Sequence, residues 1–148
     1  MMALTSLDYY FLTPNTRTTV VIGSFAATAV LTFAAVDSPL AQPKNVFFGH
    51  IISALVGVSM QILLGNKHQW LAAALAVSVA ILLMCLTDTV HPPGGATALI
   101  AVYSDQKIRN LKFFYVLIPV ASGALILFLV ALLANNCFPW RKYPKYWN

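Results

Sequence analysis

Apolar residues fill this chain in blocks much longer than an amphipathic repeat, and polar residues are confined to short intervals between them. Uncharged runs extend over Thr18 to Val36, Asn45 to Asn66, His68 to Thr87, Thr89 to Ser104 and Phe113 to Trp140. A helix that crosses a bilayer needs about 20 apolar residues, so four of these runs predict spans. The Thr89 to Ser104 run is interrupted by prolines and is marginal. The pattern predicts an all-α membrane protein with four transmembrane helices: Arg17 to Val36, Val46 to Gly65, Leu71 to Leu86 and Phe113 to Phe138, the last kinked at Pro119.

Two intervals break the pattern inside apolar sequence. Asp37-Ser38-Pro39-Leu40-Ala41-Gln42-Pro43-Lys44-Asn45 is too apolar and too proline-rich for an ordinary exposed loop, and predicts a broken or re-entrant turn. Thr87-Asp88-Thr89-Val90-His91-Pro92-Pro93-Gly94-Gly95-Ala96-Thr97-Ala98-Leu99 is the second and more polar of the two. Two prolines followed by two glycines stop a helix, and Pro93 suits the first turn of a new one. Both breaks follow an aspartate, Asp37 and Asp88, a faint internal echo of the paired broken elements of transporters.

Flanking these spans, residues 1–16 read as an interfacial segment carrying Tyr9, Tyr10 and Phe11, residues 17–138 as the transmembrane domain, and residues 139–148 as a basic, aromatic interfacial tail. Gly23, Ser24, Ala26, Ala27, Thr28, Ala29, Ala34 and Ala35 make the first span rich in small residues, and Gly49 and Gly57 do the same for the second. Such positions let helix backbones approach closely. Gln61 reads as an interhelical hydrogen-bonding residue and His68 as a solvated loop residue.

Composition agrees: the chain is 59% hydrophobic and 9% charged, with no glutamate. Nine Lys and Arg against four Asp leave a net charge of +5. With no basic face outside the membrane segments, this excess points to anionic lipid and excludes nucleic acid. Cys85 and Cys137 show no pairing pattern and read as free thiols packed as small hydrophobes. The N-terminus has no charged region and no small-residue cleavage site, so a removable signal peptide is not expected. The basic tail suits the cytoplasmic side, and four spans would put both termini there. That count places Arg17, Lys67, Arg141, Lys142 and Lys145 on one side and Lys44, Lys107, Arg109 and Lys112 on the other.

The chemistry concentrates at the second break. His91 titrates near neutral pH, and Asp88, three residues earlier, is a candidate to hold its imidazole in one tautomer or to cap the turn. Free N–H groups from Gly94 onward attract an anion, as do those after Pro43, where Lys44 adds a cation and Asn45 a donor. Thr89 and Thr97 supply hydroxyls. An ionisable group inside a membrane is functional by default, whereas the competing reading of His91 is a bond to a carbonyl freed by the break. No nucleophile is matched to the histidine, no Cys/His spacing fits a metal and no phosphate-binding glycine loop is present, so neither an enzyme nor a cofactor is expected.

The nonamer His91-Pro92-Pro93-Gly94-Gly95-Ala96-Thr97-Ala98-Leu99, with Ser38-Pro39-Leu40-Ala41-Gln42-Pro43, Asn45 and Gly49-His50, resembles the HPP family of integral membrane proteins over about Arg17 to Leu133. The resemblance implies a four-helix membrane fold and, from the plastid and cyanobacterial members, nitrite transport. With no plastid transit sequence and no appended soluble domain, it implies a stand-alone bacterial unit in the inner membrane. The expected function is transport of a small inorganic anion such as nitrite. The expected site is His91, Pro92, Pro93, Gly94, Gly95, Thr97, Asp88, Gln42, Asn45 and His50. Four short helices are few to enclose a path, so a homo-oligomer is expected. The alternative is a non-transporting membrane scaffold that assembles through its small-residue helix faces.

Overall fold

Proline placement decides where the helices begin. The computed structural model describes residues 1–12 and 22–147. Among them every regular element is helical. The chain opens with α1 (Met2–Leu7), which continues as a π-helical turn over Asp8–Leu12. The expected start of the first span at Arg17 and the Pro14 end of the interfacial segment lie outside the described residues. From that span, α2 (Ser24–Ala34) is seen.

Behind α2 the first break folds as a 3₁₀ turn at Pro39–Ala41, its entry held by the Ser38 hydroxyl accepting from the Leu40 N–H at 3.2 Å. Gln42 is extended, and Pro43 takes the first position of α3 (Pro43–Leu64), where its missing N–H costs nothing. A short turn leads to α4 (Gln69–Leu86). The second break is extended at His91 and starts α5 (Pro92–Tyr103) with Pro92 and Pro93 in its first turn. A short α6 (Gln106–Asn110) follows. The final segment is a π-helical turn over Val116–Ala121 that runs into α7 (Ser122–Asn136), with Ile118 non-helical (φ −131°, ψ 117°) beside Pro119. The expected kink at Pro119 is there.

Among the described residues three segments are long and apolar enough to cross a membrane: Pro43–Leu64, Gln69–Leu86 and Val116–Asn136. At 1.5 Å per residue they measure about 33, 27 and 32 Å. Leu55, Ile62, Leu63, Leu75, Ile81, Leu82, Leu86, Leu125, Leu129 and Leu133 point outward from them. A surface so apolar is a liability in water and ordinary in lipid.

Lipid tails are as apolar as leucine, so close backbone packing has to replace hydrophobic burial as the force that assembles helices. Gly49, Ser53 and Gly57 recur every fourth residue on α3 and present one smooth face, against which α5 lies. A Cβ at Gly57 would sit 2.6 Å from the Ala98 carbonyl oxygen and 2.8 Å from the Ala101 Cβ. Ala72, Ala76 and Ala80 of α4 complete this core with Ala98 and Val102. A second cluster joins α2 and the last segment to it through Phe25, Ala54, Val58, Ala101, Tyr115, Val120, Ala124 and Leu127, with Leu4 of α1 beneath.

The course of α5 changes the expected grouping of loops. The Gln69 side-chain amide donates to the Val102 carbonyl at 3.0 Å, so α5 ends beside the start of α4. The prolines therefore do not break the segment after Thr89 midway. They mark its beginning, and the 12 residues of α5 run back along α3. Asn66 and Gln61 accordingly line one polar cleft of about 250 Å³ with Gln106, Arg109 and Lys112. The turn holding Lys67 and the loop holding Lys107, Arg109 and Lys112 share one end of the molecule, where the run-length reading set them on opposite sides. Gln61 faces this cleft, across from Gln106 and Arg109 of α6.

At the other end, the tail folds over the first break. The Tyr143 hydroxyl donates to the Ala41 carbonyl at 2.7 Å, and burial pushes its pKa up to about 12, so it stays a donor at neutral pH. Lys145 pairs with Asp37 at 2.7 Å, and Arg141 donates to the Phe33 carbonyl. Trp140, Tyr146 and Trp147 remain exposed. Cys85 and Cys137 are free but exposed on outward faces, not packed. His68 is exposed, as expected of a loop residue.

Candidate functional site

His50 sits seven residues past Pro43 on α3, about 10 Å along the helix from its start. His91 precedes Pro92 at the start of α5, held close because Gly49 has no side chain. A Cβ there would be 2.5 Å from the His91 Cβ and 3.0 Å from the Thr89 carbonyl oxygen. The two rings meet edge to face with centroids 4.9 Å apart, and both residues are fully buried. Phe25 packs against His50 at 5.3 Å and closes the other side.

Hydroxyls of α2 and α5 join the rings. The Thr28 Oγ1 lies 2.8 Å from His50 Nε2 and 3.0 Å from His91 Nε2. His50 Nδ1 lies 2.7 Å from Thr97 Oγ1, which is 2.9 Å from the Ser24 hydroxyl. His91 Nδ1 lies 2.8 Å from the Leu40 carbonyl oxygen of the first break. Burial of Ser24, Thr28, His50, His91 and Thr97 is complete to within 2% exposure. Every one of these polar atoms has a partner, which a buried polar cluster requires. The Tyr115 hydroxyl donates to the Thr97 carbonyl at 3.1 Å from outside the cluster.

Of the ten residues singled out from the sequence, His91, Thr97 and His50 come together here, with Pro93 and Gly94 shaping the contact. Gly94 is as crowded as Gly49, since a Cβ on it would be 2.7 Å from the Ser53 hydroxyl and 2.9 Å from the Gly49 carbonyl oxygen. Pro92 is exposed and Gly95 is half-buried beside Val77. Asn45 and Gln42 stand apart from the rings as braces. The Asn45 amide donates to the Val90 carbonyl at 2.9 Å and ties the two breaks together. The Gln42 amide donates to the Val36 and Ser38 carbonyls at 2.9 and 2.8 Å, and its oxygen accepts from the Lys145 N–H at 2.9 Å. Asp88 points to solvent with a side chain 96% exposed and pairs with Lys44 at 3.4 Å. The Leu40 carbonyl, and not Asp88, therefore orients the His91 ring. A carboxylate had to leave the helix end to reach water, and Asp88 does so at φ 52°. Thr89 bonds the Thr87 hydroxyl at 2.7 Å and takes no part.

Ser24, Thr28 and the Leu40 carbonyl were not among the expected site residues. The α2 pair was read as small-residue packing, yet Ser24, Thr28 and Thr32 recur at every fourth residue, and all three are buried. A hydroxyl stripe at helical spacing is the signal that identifies this face. Main-chain acceptors such as Leu40 leave no such mark.

A bundle of apolar helices, three of the described ones long enough to cross a bilayer, packed around a buried pair of histidines, is the architecture of an integral membrane protein. The chain belongs to the HPP transmembrane family, whose model matches residues 1–144. It is 50% identical over 144 residues to one Dictyostelium discoideum protein named as a transmembrane protein, covering 96% of this chain and 46% of that one. A second transmembrane protein from the same organism is 50% identical over 131 residues, 86% of this chain and 45% of its own length. The chain thus spans about half the length of these relatives. No solved structure matches it.

Proposed function

We propose that this chain moves a small inorganic anion, nitrite or a close analogue, across a cell membrane through the polar centre at the start of α5. On this reading α2, α3, α4 and the kinked Val116–Asn136 segment form the four transmembrane helices, and α5 is the short inner helix that carries the site. The supporting observation is the placement of two imidazoles and three hydroxyls, all buried and bonded to one another, at the meeting point of α2, α3 and α5. Such groups are costly within a bilayer and mark pathways more often than packing. The protein is then a transporter and not an enzyme. Hydroxyls and imidazole N–H groups are donors suited to a compact monovalent anion, and the start of α5 adds a favourable dipole. Because the centre is sealed, the anion enters by taking over bonds the side chains now make to one another.

Uptake of nitrite into liposomes carrying the purified chain tests this. His91→Ala is expected to lower it about 5- to 10-fold, the loss of one intramembrane interaction of about 1 to 1.4 kcal/mol. Wild-type uptake that survives unchanged in a folded His91→Ala protein overturns the reading.

A scaffold role is favoured by one observation: Ala26, Ala27, Val30 and Ala34 of α2 are exposed, opposite the buried Ser24, Phe25, Thr28 and Thr32. This small-residue face also supports assembly of a homo-oligomer. Leucine at Ala27 and Ala34 is expected to shift an oligomer toward monomer, measured by light scattering in mild detergent. A monomeric wild type in detergent and in lipid removes both the oligomer and that support for the scaffold.

A further inference from the structure

One fixed point orders the whole polar centre. A carbonyl oxygen only accepts, so the His91 Nδ1 beside the Leu40 carbonyl carries a hydrogen. In a neutral ring the His91 Nε2 is then an acceptor, and among the described residues it is the Thr28 O–H, at 3.0 Å, that reaches it. Thr28 has a single hydrogen, so toward His50 it accepts, and the His50 Nε2 is a donor. The His50 Nδ1 is left as an acceptor, so the Thr97 O–H, which also has the Ser24 hydroxyl at 2.9 Å and the Pro93 carbonyl at 3.3 Å as acceptors within reach, turns to it at 2.7 Å. The neutral centre is therefore a one-way chain from Thr97 through His50 and Thr28 to His91 and Leu40.

The same hydroxyls are built for a second arrangement. Each has a backbone carbonyl four residues earlier within hydrogen-bond distance, Pro93 at 3.3 Å from Thr97 and Ser24 at 3.2 Å from Thr28. If the His50 Nδ1 gains a proton, the new N–H donates to Thr97 Oγ1 and the Thr97 O–H turns to the Pro93 carbonyl. If the His91 Nε2 gains one, it donates to Thr28 Oγ1 and the Thr28 O–H turns to the Ser24 carbonyl. Either ring can be charged without stranding a donor. The proton also passes between them in balance. His50 Nε2–H gives its hydrogen to Thr28 as Thr28 gives its own to His91 Nε2, so one N–H and one O–H break while one O–H and one N–H form.

Among the described residues the surroundings supply no countercharge. From α2 the groups facing the rings are Ser24 and Thr28, from α3 Ser53, from α5 Thr97 and from the last segment the Tyr115 hydroxyl, all neutral. Asp88 is held outside by Lys44, and Asp37 by Lys145, while Tyr143 is spent on Ala41. A second proton would set two cations on rings 4.9 Å apart.

We propose that the two imidazoles bind one shared proton through the Thr28 hydroxyl and that this proton crosses together with the anion, as its counter-ion. The second half rests on the transport reading; the first stands without it. An imidazolium with no buried carboxylate is costly in lipid, and an anion beside it removes that cost, so the two load as a neutral pair.

Histidine ¹⁵N spectra of the chain in lipid vesicles test the proton site, with exposed His68 as internal reference. The expected result is Nε2–H on His50 and Nδ1–H on His91 at neutral pH. On acidification the pair should take up one proton. Thr28→Ser is expected to preserve this behaviour and Thr28→Val to end the exchange between rings. Reversed tautomers, or two protons taken up independently of each other, overturn the proposal. For the second half, nitrite uptake is followed at membrane potentials clamped by potassium and valinomycin, with protein-free vesicles subtracted. A neutral pair is expected to give rates indifferent to potential, reduced in Thr28→Val and retained in Thr28→Ser. Uptake that follows the potential as a bare anion overturns co-transport. Wild-type vesicles that take up no anion refute the transport reading and co-transport together, and leave the shared-proton site to the spectra.

Discussion

Gly49→Val is expected to destabilise the folded chain by about 3 kcal/mol or more, the upper range for overpacking a filled site. Two effects oppose each other. Replacing glycine within a helix gains up to about 1 kcal/mol of backbone preference. Against this, the new Cβ would fall 2.5 Å from the His91 Cβ and 3.0 Å from the Thr89 carbonyl oxygen. Neither of these is the movable end of a long side chain, so α5 has to draw back from α3. That shift also pulls His91 from Thr28 and from Leu40, adding lost hydrogen bonds to the strain. Gly95→Ala is the control on the same motif. Its Cβ meets only Val77, at 3.9 Å, so the helix preference is unopposed and the change is expected to be neutral or mildly stabilising. Unfolding of both variants in mixed micelles measures the difference. Equal stability of the two would remove the close α3–α5 contact as a determinant of the site.

His50→Phe and His91→Phe are expected to cost about 2 kcal/mol each, with the double variant costing at least about 1 kcal/mol less than their sum. Each single change takes one bond from Thr28 and another from either Thr97 or the Leu40 carbonyl, leaving the hydroxyls to fall back on the longer bonds to the Ser24 and Pro93 carbonyls and the remaining ring to carry the centre alone. Thr28 serves both rings, so the second change removes a penalty already incurred. The same micelle unfolding, run as a double-mutant cycle, reads the coupling. Additive losses would mean that the rings are held independently and that Thr28 links nothing.

How legible the site was differs residue by residue. His91 stood out because an imidazole between a helix break and a run of apolar residues has few innocent explanations. His50 and Thr97 followed from lying near the two breaks. Asp88 misled as a partner for His91. Proximity in sequence suggested a pair, but the residue sits at a helix end where a positive φ lets its carboxylate reach water and Lys44. Asn45 was read as a donor beside the helix start after Pro43, and Gln42 as part of the same motif, but both amides brace backbone carbonyls around the first break. The α2 hydroxyls escaped notice because serine and threonine count as small residues wherever close packing is expected.

The sequence by itself determined what depends on local chemistry and on the solvent. Uncharged stretches about as long as a bilayer is thick made the long helices membrane segments, prolines set where α3 and α5 start, and glycines marked where backbones touch. Only the tertiary structure decided which way α5 runs, hence which loops share an end, because a 12-residue apolar segment is compatible with a re-entrant dip and with a return along α3. It also decided the partners of the two histidines. Those bonds reach from α2, from a main-chain carbonyl and across the α3–α5 contact, over separations of 22 to 63 residues, and no spacing rule along one chain encodes them.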